Sequence, residues 1–95
     1  MAAYLIADVR VTNPAQYETY KKWSSQAITE HQAEVCVRGG KAITLEGDWT
    51  PERIVVLKFA DIAAAQAYYE SSSYQTGKAA REGAAIMRMV VVEGV

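Results

Sequence analysis

The feature that most constrains the fold is a set of four short segments in which every second side chain is apolar. This period of two is typical of β-strands that turn one face towards a core. The predicted strands are residues 4–11, 34–38, 53–59 and 84–93. Because helical patterns and turns separate them, the sequence predicts one sheet with helices packed against it.

The segments between the strands repeat apolar residues every three or four positions, as amphipathic helices do. The predicted helices are residues 14–32, 62–71 and 74–82. Asn13 followed by Pro14 matches the N-cap and first position of a helix. Asp61 is the predicted N-cap of the second helix, three serines interrupt the helical pattern after it, and Gly83 is expected to end the third.

The order of these elements predicts an α+β fold. It is β-α-β-β-α-β, the ferredoxin-like arrangement, in which an antiparallel sheet carries its helices on one face. The double glycine Gly39-Gly40 follows the second strand, and an extended run is expected at residues 42–45. This run either continues the hairpin or bends away from it.

The two faces of the predicted sheet differ in composition. The helix-facing set is apolar: Leu5, Ala7, Val9, Val35, Val37, Val55, Leu57, Phe59, Met87, Met89 and Val91. The opposite set is mixed: Tyr4, Ile6, Asp8, Arg10, Glu34, Cys36, Arg38, Ile54, Val56, Lys58, Ile86, Arg88, Val90 and Val92. This second face is too apolar to remain in water and too charged for a dry core. We therefore expect a homodimer whose two sheets face each other around a polar-lined cavity.

Composition limits the function classes. The chain has 95 residues, enough for one domain, and a net charge of −1. Lys21-Lys22 is the only adjacent basic pair, so nucleic-acid binding is not expected. No apolar run reaches the ~20 residues that span a bilayer. The single cysteine, Cys36, and the absence of a signal-peptide pattern lead us to expect a cytoplasmic protein.

The stretch from Val37 to Arg53 concentrates side chains of the kind that bind small molecules. It places Arg38, Trp49 and Arg53 around one end of the predicted sheet. An arginine fork can hold a carboxylate or an enolate-like oxygen. The alternative is an ion pair with a nearby acid, from the set Asp8, Glu34, Glu46 and Asp48.

The candidate catalytic residues are His31 and Arg38. His31 is the only histidine, and its unperturbed pKa suits a general acid or base near neutral pH. Arg38 is a charge on a face with many apolar residues. The simpler interpretation of His31 is a residue that hydrogen-bonds the last carbonyls of its helix.

The candidate ligand-binding residues are aromatic or basic: Tyr17, Tyr20, Trp49, Arg53 and Tyr74. Trp49 suits stacking on a planar ligand, contact with a partner subunit, or coverage of its own core. The tyrosines first of all suit helix packing, with hydroxyls available at a pocket rim.

No cofactor or metal site is predicted. Gly39-Gly40 is not followed by a helix, so it lacks the amide cradle of a phosphate-binding loop. One histidine and one cysteine leave no cluster of metal ligands.

Several motifs together resemble one family of small bacterial proteins, domain-of-unknown-function family 1330. They are residues 4–11, 13–17, His31, 37–40, 45–51 and 74–75. Gln32-Ala33 is a departure, because the family often has glycine between the histidine and the next strand. The resemblance implies a ferredoxin-like fold of the dimeric α+β barrel type. It implies no established reaction, since related barrels include cofactor-independent monooxygenases, haem-degrading enzymes, lactone isomerases and binding proteins.

Three hypotheses about function follow. The first is a protein that binds a small anionic or aromatic organic molecule in a pocket. The second is a cofactor-independent oxygenase or isomerase in which His31 moves a proton and Arg38 stabilises an oxyanion. The third is a structural interaction module that uses its sheet face as an interface.

Overall fold

The computed structural model describes residues 1–95 and contains four strands and three helices. They are β1 (Ala3–Val11), α1 (Pro14–Glu30), β2 (Glu34–Arg38), β3 (Arg53–Phe59), α2 (Ile62–Glu70), α3 (Ser72–Ala80) and β4 (Ala85–Glu93). The strands form one antiparallel sheet in the order β2-β3-β1-β4. The predicted ferredoxin-like fold is confirmed, with the second helical segment divided into α2 and α3.

Side-chain caps set the helix starts. The Asn13 side chain accepts the backbone N–H of Gln16 at 3.1 Å, as predicted for an N-cap. Asp61 does the same for α2, accepting from the Ala64 N–H at 2.7 Å. Ser71 ends α2 and caps α3, so the third helix begins at residue 72 rather than 74.

The way in which α1 ends shows why glycine is common in the family at the position of Gln32. The helix stops at Glu30 rather than at residue 32, and His31 is its C-cap. Gln32 has φ +54°, the only positive φ among the non-glycine residues. The Gln32 N–H donates to the Thr29 carbonyl at 3.3 Å, and the Ala33 N–H donates to the Ile28 carbonyl at 3.1 Å. This is the Schellman pattern, which usually places glycine at this left-handed position.

The helices pack on one face of the sheet and enclose the core. The buried residues of this core are Leu5, Ala7, Val9, Tyr17, Tyr20, Ala27, Leu57, Phe59, Ala65, Tyr68 and Tyr74. The helix α1 packs closely on α3 at Gly77, where an added Cβ would lie 2.8 Å from Cβ of Trp23. The absence of a side chain at Gly77 thus allows α1 and α3 to approach closely.

A β-bulge in β2 changes which side chains face the helices. Val35 pairs with Leu57, Val37 pairs with Val56, and Cys36 is the extra residue between them. The prediction that Val37 faces the helices and Arg38 the opposite side is therefore wrong. Arg38 instead lies opposite Val55 on the helix face, because one unpaired residue reverses the alternation that follows it.

Residues 39–52 form a loop with no strand. Of the two alternatives for residues 42–45, the chain takes the second and bends away from the hairpin. Gly39 and Gly47 make the sharp changes of direction, with φ +68° and +82°. The loop reaches the sheet face opposite the helices, where the Trp49 indole N–H donates to Asp8 at 3.1 Å.

We call that opposite surface the open face, because no helix covers it. It carries apolar side chains with large exposed fractions, among them Ile86 (60%) and Val90 (62%). None of the three helices combines the length and apolar character needed to cross a membrane.

Candidate functional site

A cavity of about 310 Å³ lies between α1 and the helix face of the sheet. Its walls come from all four strands, from α1 and from Tyr68 of α2. Small side chains in its walls leave space there, namely Ala7 on the inner strand β1 and Ser24 and Ser25 on α1. The volume falls at the small end of the roughly 300–1,000 Å³ range of ligand pockets.

The cavity carries positive charge that is not neutralised. Lys21, Arg38 and Arg53 are among the lining residues, and no aspartate or glutamate is. Lys21 forms an ion pair with Glu18 at 2.8 Å. Arg38 and Arg53 form no ion pair, so the predicted alternative, pairing with a nearby acid, is not what the structure contains.

The Arg53 guanidinium is held against the backbone of Gly39. A Cβ on that glycine would lie 2.5 Å from Nη1 and 2.9 Å from Cζ. The Gly39 N–H donates to the Ile54 carbonyl at 2.8 Å, which fixes the strand end beside Arg53. The Arg53 Nε is buried and has no hydrogen-bond partner.

Three tyrosine rings form the aromatic part of the cavity wall. Tyr17 and Tyr20 lie with their ring centroids 5.1 Å apart on α1, and Tyr68 faces them from α2. Burial raises the pKa of all three hydroxyls. For Tyr17 the nearby Arg53 and Arg81 partly oppose that rise in pKa. The three hydroxyls therefore stay protonated.

Tyr74 lies behind this wall rather than in it. It is fully buried, and its hydroxyl is 3.1 Å from that of Tyr20. Arg81 completes the group, with Nη2 donating to the Tyr74 hydroxyl at 3.4 Å and Cζ 5.2 Å from the centre of the Tyr20 ring. This packing fixes the orientation of Tyr20 towards the cavity.

His31 is outside the cavity lining. Its Nδ1 lies 3.0 Å from the carbonyl oxygen of Ala27, to which its backbone N–H also donates. This is the helix-terminating role that the sequence offered as the simpler interpretation. The ring also meets Tyr68 edge-on, at 6.2 Å between centroids, and so contacts a residue of the cavity wall.

Trp49 is on the other side of the sheet. It is 52% exposed and covers part of the open face, not the helix-side core. Asp8 accepts from Trp49 and also from Arg88, at 2.6 Å. These two hydrogen bonds, the one from Arg88 first, lower the pKa of Asp8.

The structure thus divides the seven candidate residues. Four line the cavity: Tyr17, Tyr20, Arg38 and Arg53. His31 and Tyr74 touch its walls from outside, and Trp49 is remote. No group of three or more His, Cys, Asp or Glu side chains is arranged to hold a metal ion.

Sequence reasoning missed Tyr68 and Arg81. The spacing of Tyr68 three residues after Ala65 on the apolar stripe of α2 is a signal that could have identified it. Arg81 follows the end of α3, and nothing in its local sequence indicates that it packs on a buried tyrosine pair.

Three solved structures show the same fold. A protein of unknown function from Rhodopseudomonas palustris has 16% identity and a TM-score of 0.77, covering 99% of this chain and 82% of its own. A dimeric ferredoxin-like protein of unknown function from Jannaschia has 13% identity and a TM-score of 0.70, covering 99% and 100%. SnoaB, a cofactor-independent oxygenase from Streptomyces nogalater, has 9% identity and a TM-score of 0.65, covering 99% and 93%.

At these identities the similarity establishes the fold and nothing finer. Among curated proteins, no sequence matches this chain significantly. The model of one sequence family, described as domain of unknown function DUF1330, matches residues 2–95. The match spans the sheet, the helices and the loop that carries Trp49, and the chain therefore belongs to the DUF1330 family.

Proposed function

We propose that the protein binds a small anionic or aromatic organic molecule in the cavity between α1 and the sheet. The observation that carries this proposal is the lining itself: tyrosine rings and aliphatic side chains, with two unpaired arginines and no carboxylate. An apolar pocket with a few converging polar groups is the usual form of a small-molecule site. Positive charge without an acid favours an anionic ligand.

Ligand access is along the side where α1 faces β2. β2 is an edge strand of the sheet. Ser25, Lys21 and Arg38 are exposed there and also line the cavity. A molecule can therefore enter without displacing the buried tyrosines.

The experiment is a thermal-shift screen of small aromatic and carboxylated metabolites, repeated with a variant that fills the cavity. A ligand that binds only the folded protein raises its melting temperature. Ser24→Phe places a ring in the cavity and should abolish the shift. Ser72→Phe changes an exposed helical serine outside the cavity and should preserve it. Stabilisation that persists in Ser24→Phe would mean that the ligand binds elsewhere.

We also propose that two copies associate through their open faces. The exposed aliphatic side chains of β4, which are Ile86, Val90 and Val92, form an apolar surface beside the Asp8–Arg88 pair. A specific interface of this kind buries roughly 1,200–2,000 Å² in total. Sedimentation equilibrium at micromolar concentration measures the association directly, and a monomer under those conditions would contradict it.

A second candidate function is a cofactor-independent oxygenase or isomerase. Two observations favour it: the fold shared with an oxygenase that uses no cofactor, and the contact of His31 with the cavity wall at Tyr68. With Nδ1 on the Ala27 carbonyl, His31 would use Nε2 to take a proton. Arg38 would hold the negative charge that develops on the substrate.

Turnover of a ligand found in the screen decides between binding and catalysis. If the mechanism is as stated, His31→Ala lowers kcat by ~10²–10⁴-fold, and Arg38→Ala lowers it by ~10²–10³-fold. Undiminished turnover in His31→Ala would leave the histidine as a helix terminator only. A protein that dimerises but binds no small molecule would instead support the structural interaction module.

A further inference from the structure

Two arginines, Arg38 and Arg53, line the cavity, and the register of the sheet makes them neighbours. Arg38 pairs across the strands with Val55, and Arg53 lies two residues before Val55 on the same face. Residues related in this way are diagonal cross-strand neighbours, about 7–8 Å apart. Two long side chains at that separation can contact the same ligand group.

Both groups retain free donors. Neither arginine forms an ion pair, and the Arg53 Nε is buried without a hydrogen-bond partner. The neutral side chain near Arg53 is Tyr17, which leaves the charge of the guanidinium unbalanced. Leaving donors of a charged group unmatched in a partly buried place is unfavourable. An arginine that has no carboxylate partner and lines a cavity is available for an anionic ligand.

We propose that Arg38 and Arg53 form a carboxylate subsite and that the ligand is a small planar monocarboxylate with an aromatic or aliphatic body. This rests on the proposed function, which it deepens. The planar forks of two guanidiniums match the planar, two-oxygen geometry of a carboxylate. The rest of the wall, with Tyr17, Tyr20 and Tyr68, suits a flat apolar body.

Gly39 acts in this subsite as a positioning residue. Its missing side chain leaves the space that the Arg53 guanidinium occupies, since an added Cβ would lie 2.5 Å from Nη1. Any larger residue would force that guanidinium away from the cavity end. The chain offers a matched control in Gly47, which has a similar positive φ (+82°) but no atom within 4 Å of an added Cβ.

The test compares two probes of similar size and shape, benzoate and neutral benzamide, by calorimetric titration. The wild-type protein should bind benzoate at least about tenfold more tightly, as expected for one charge-assisted bidentate contact. Arg38→Gln and Arg53→Gln should each remove most of this preference while leaving benzamide binding within about twofold. Arg38 is exposed on an edge strand, so its variant should fold normally.

Comparison of Gly39→Ala with Gly47→Ala separates the positioning of Arg53 from the strain of a side chain at positive φ. Gly39→Ala should weaken benzoate binding and leave benzamide unchanged, while Gly47→Ala should change neither. Equal loss of both probes in Gly39→Ala would assign that glycine a purely structural role and overturn its part in the proposal.

Other outcomes are equally decisive. If the wild-type protein binds both probes equally, the carboxylate subsite is wrong although the cavity still binds organic molecules. If phenyl phosphate binds more tightly than benzoate, the subsite takes a phosphate rather than a carboxylate. If no small aromatic compound binds at all, the proposed function fails together with the subsite.

Discussion

The two faces of one sheet carry arginines in opposite circumstances. On the open face Arg88 donates to Asp8 at 2.6 Å, and Arg10 lies 3.8 Å from Glu52. On the helix face Arg38 and Arg53 have no carboxylate partner, although that face is the more enclosed. Arg38 is exposed at the mouth of the cavity, but the Nε of Arg53 is buried. For Arg53 the usual expectation is the reverse, since unpaired charges are tolerated best where water is plentiful.

This difference in charge pairing indicates what kind of partner each face can bind. A surface whose charges are paired internally can approach another apolar surface at a lower desolvation cost. A cavity whose arginines remain unpaired carries a positive potential, although the whole chain has a net charge of −1. This difference supports both proposals, association of two copies through the open face and binding of a small anion on the helix face.

The largest expected effect is on association through the open face. Val90→Asp would bring two unpaired carboxylates, one from each copy, into the proposed interface. Burying each such ion costs several kcal/mol, so the dimer dissociation constant should rise by at least about 10²-fold. Sedimentation velocity measures it, with Val95→Asp as control because Val95 is fully exposed and lies outside β4. An unchanged dimer in Val90→Asp would show that the open face is not the interface.

The next effect concerns the core beneath the helices. Leu57 is 2% exposed and packs in the helix-side core, so Leu57→Ala should reduce the free energy of unfolding by about 2–5 kcal/mol. Leu45 is 92% exposed in the loop, and Leu45→Ala should change the free energy of unfolding by less than about 0.5 kcal/mol. Urea unfolding at equal protein concentrations measures both. Similar losses would mean that residues 39–52 are buried in the assembly.

A smaller effect is expected at the buried hydroxyl pair. Tyr74→Phe leaves the Tyr20 hydroxyl without its partner at 3.1 Å and should lower the free energy of unfolding by about 1–2 kcal/mol. Tyr69→Phe removes a hydroxyl that meets only an exposed lysine, Lys78, and should be nearly neutral. If Tyr74→Phe and Tyr69→Phe lowered the free energy of unfolding equally, burial of the hydroxyl would not determine how much its hydrogen bond stabilises the fold.

The smallest effect is a pH dependence on the open face. The pKa of Asp8 is lowered in the folded protein, mainly by Arg88 and also by Trp49. A lowered pKa stabilises the fold above the unfolded value of about 3.9, and this contribution is lost as pH falls through the folded pKa. Asp8→Asn should therefore flatten the loss of stability below about pH 4.

Urea midpoints recorded between pH 2 and 6 provide the measurement for Asp8→Asn. Asp48→Asn is the control, since Asp48 is exposed and takes part in no ion pair. A curve for Asp8→Asn that coincides with that of the wild-type protein would remove Asp8 as a source of pH dependence.

The fold could be predicted because its signals are local. Asn13 and Asp61 mark helix starts through their own chemistry, and the alternation in β1, β3 and β4 continues without interruption. The prediction that Gly83 ends the third helix is wrong, because α3 ends at Ala80 with Arg81 as its C-cap and Gly83 lies in the turn that follows. Burial at Leu5 and Leu57 follows directly from that alternation.

The site could be predicted only in part, because its assembly is not local. Tyr17 and Tyr20 line the cavity, as their helical spacing suggested. The side of the sheet on which Arg38 lies depends on a β-bulge, and no residue type in the sequence indicates that bulge. The position of Trp49 depends on a loop whose path is set by glycines at positive φ and by a contact 41 residues away in sequence.

The bulge in β2 determines where the chain can lose one residue without changing which side chains face the helices. Because Cys36 is the unpaired residue, the side chains after it already face as they would in a strand one residue shorter. Deletion of Cys36 should therefore leave Arg38 opposite Val55, while a deletion within the regular strand β3 would turn its later side chains over. In an alignment with a relative that is one residue shorter here, the gap belongs at residue 36. Placing it elsewhere would pair residues that lie on opposite sides of the sheet.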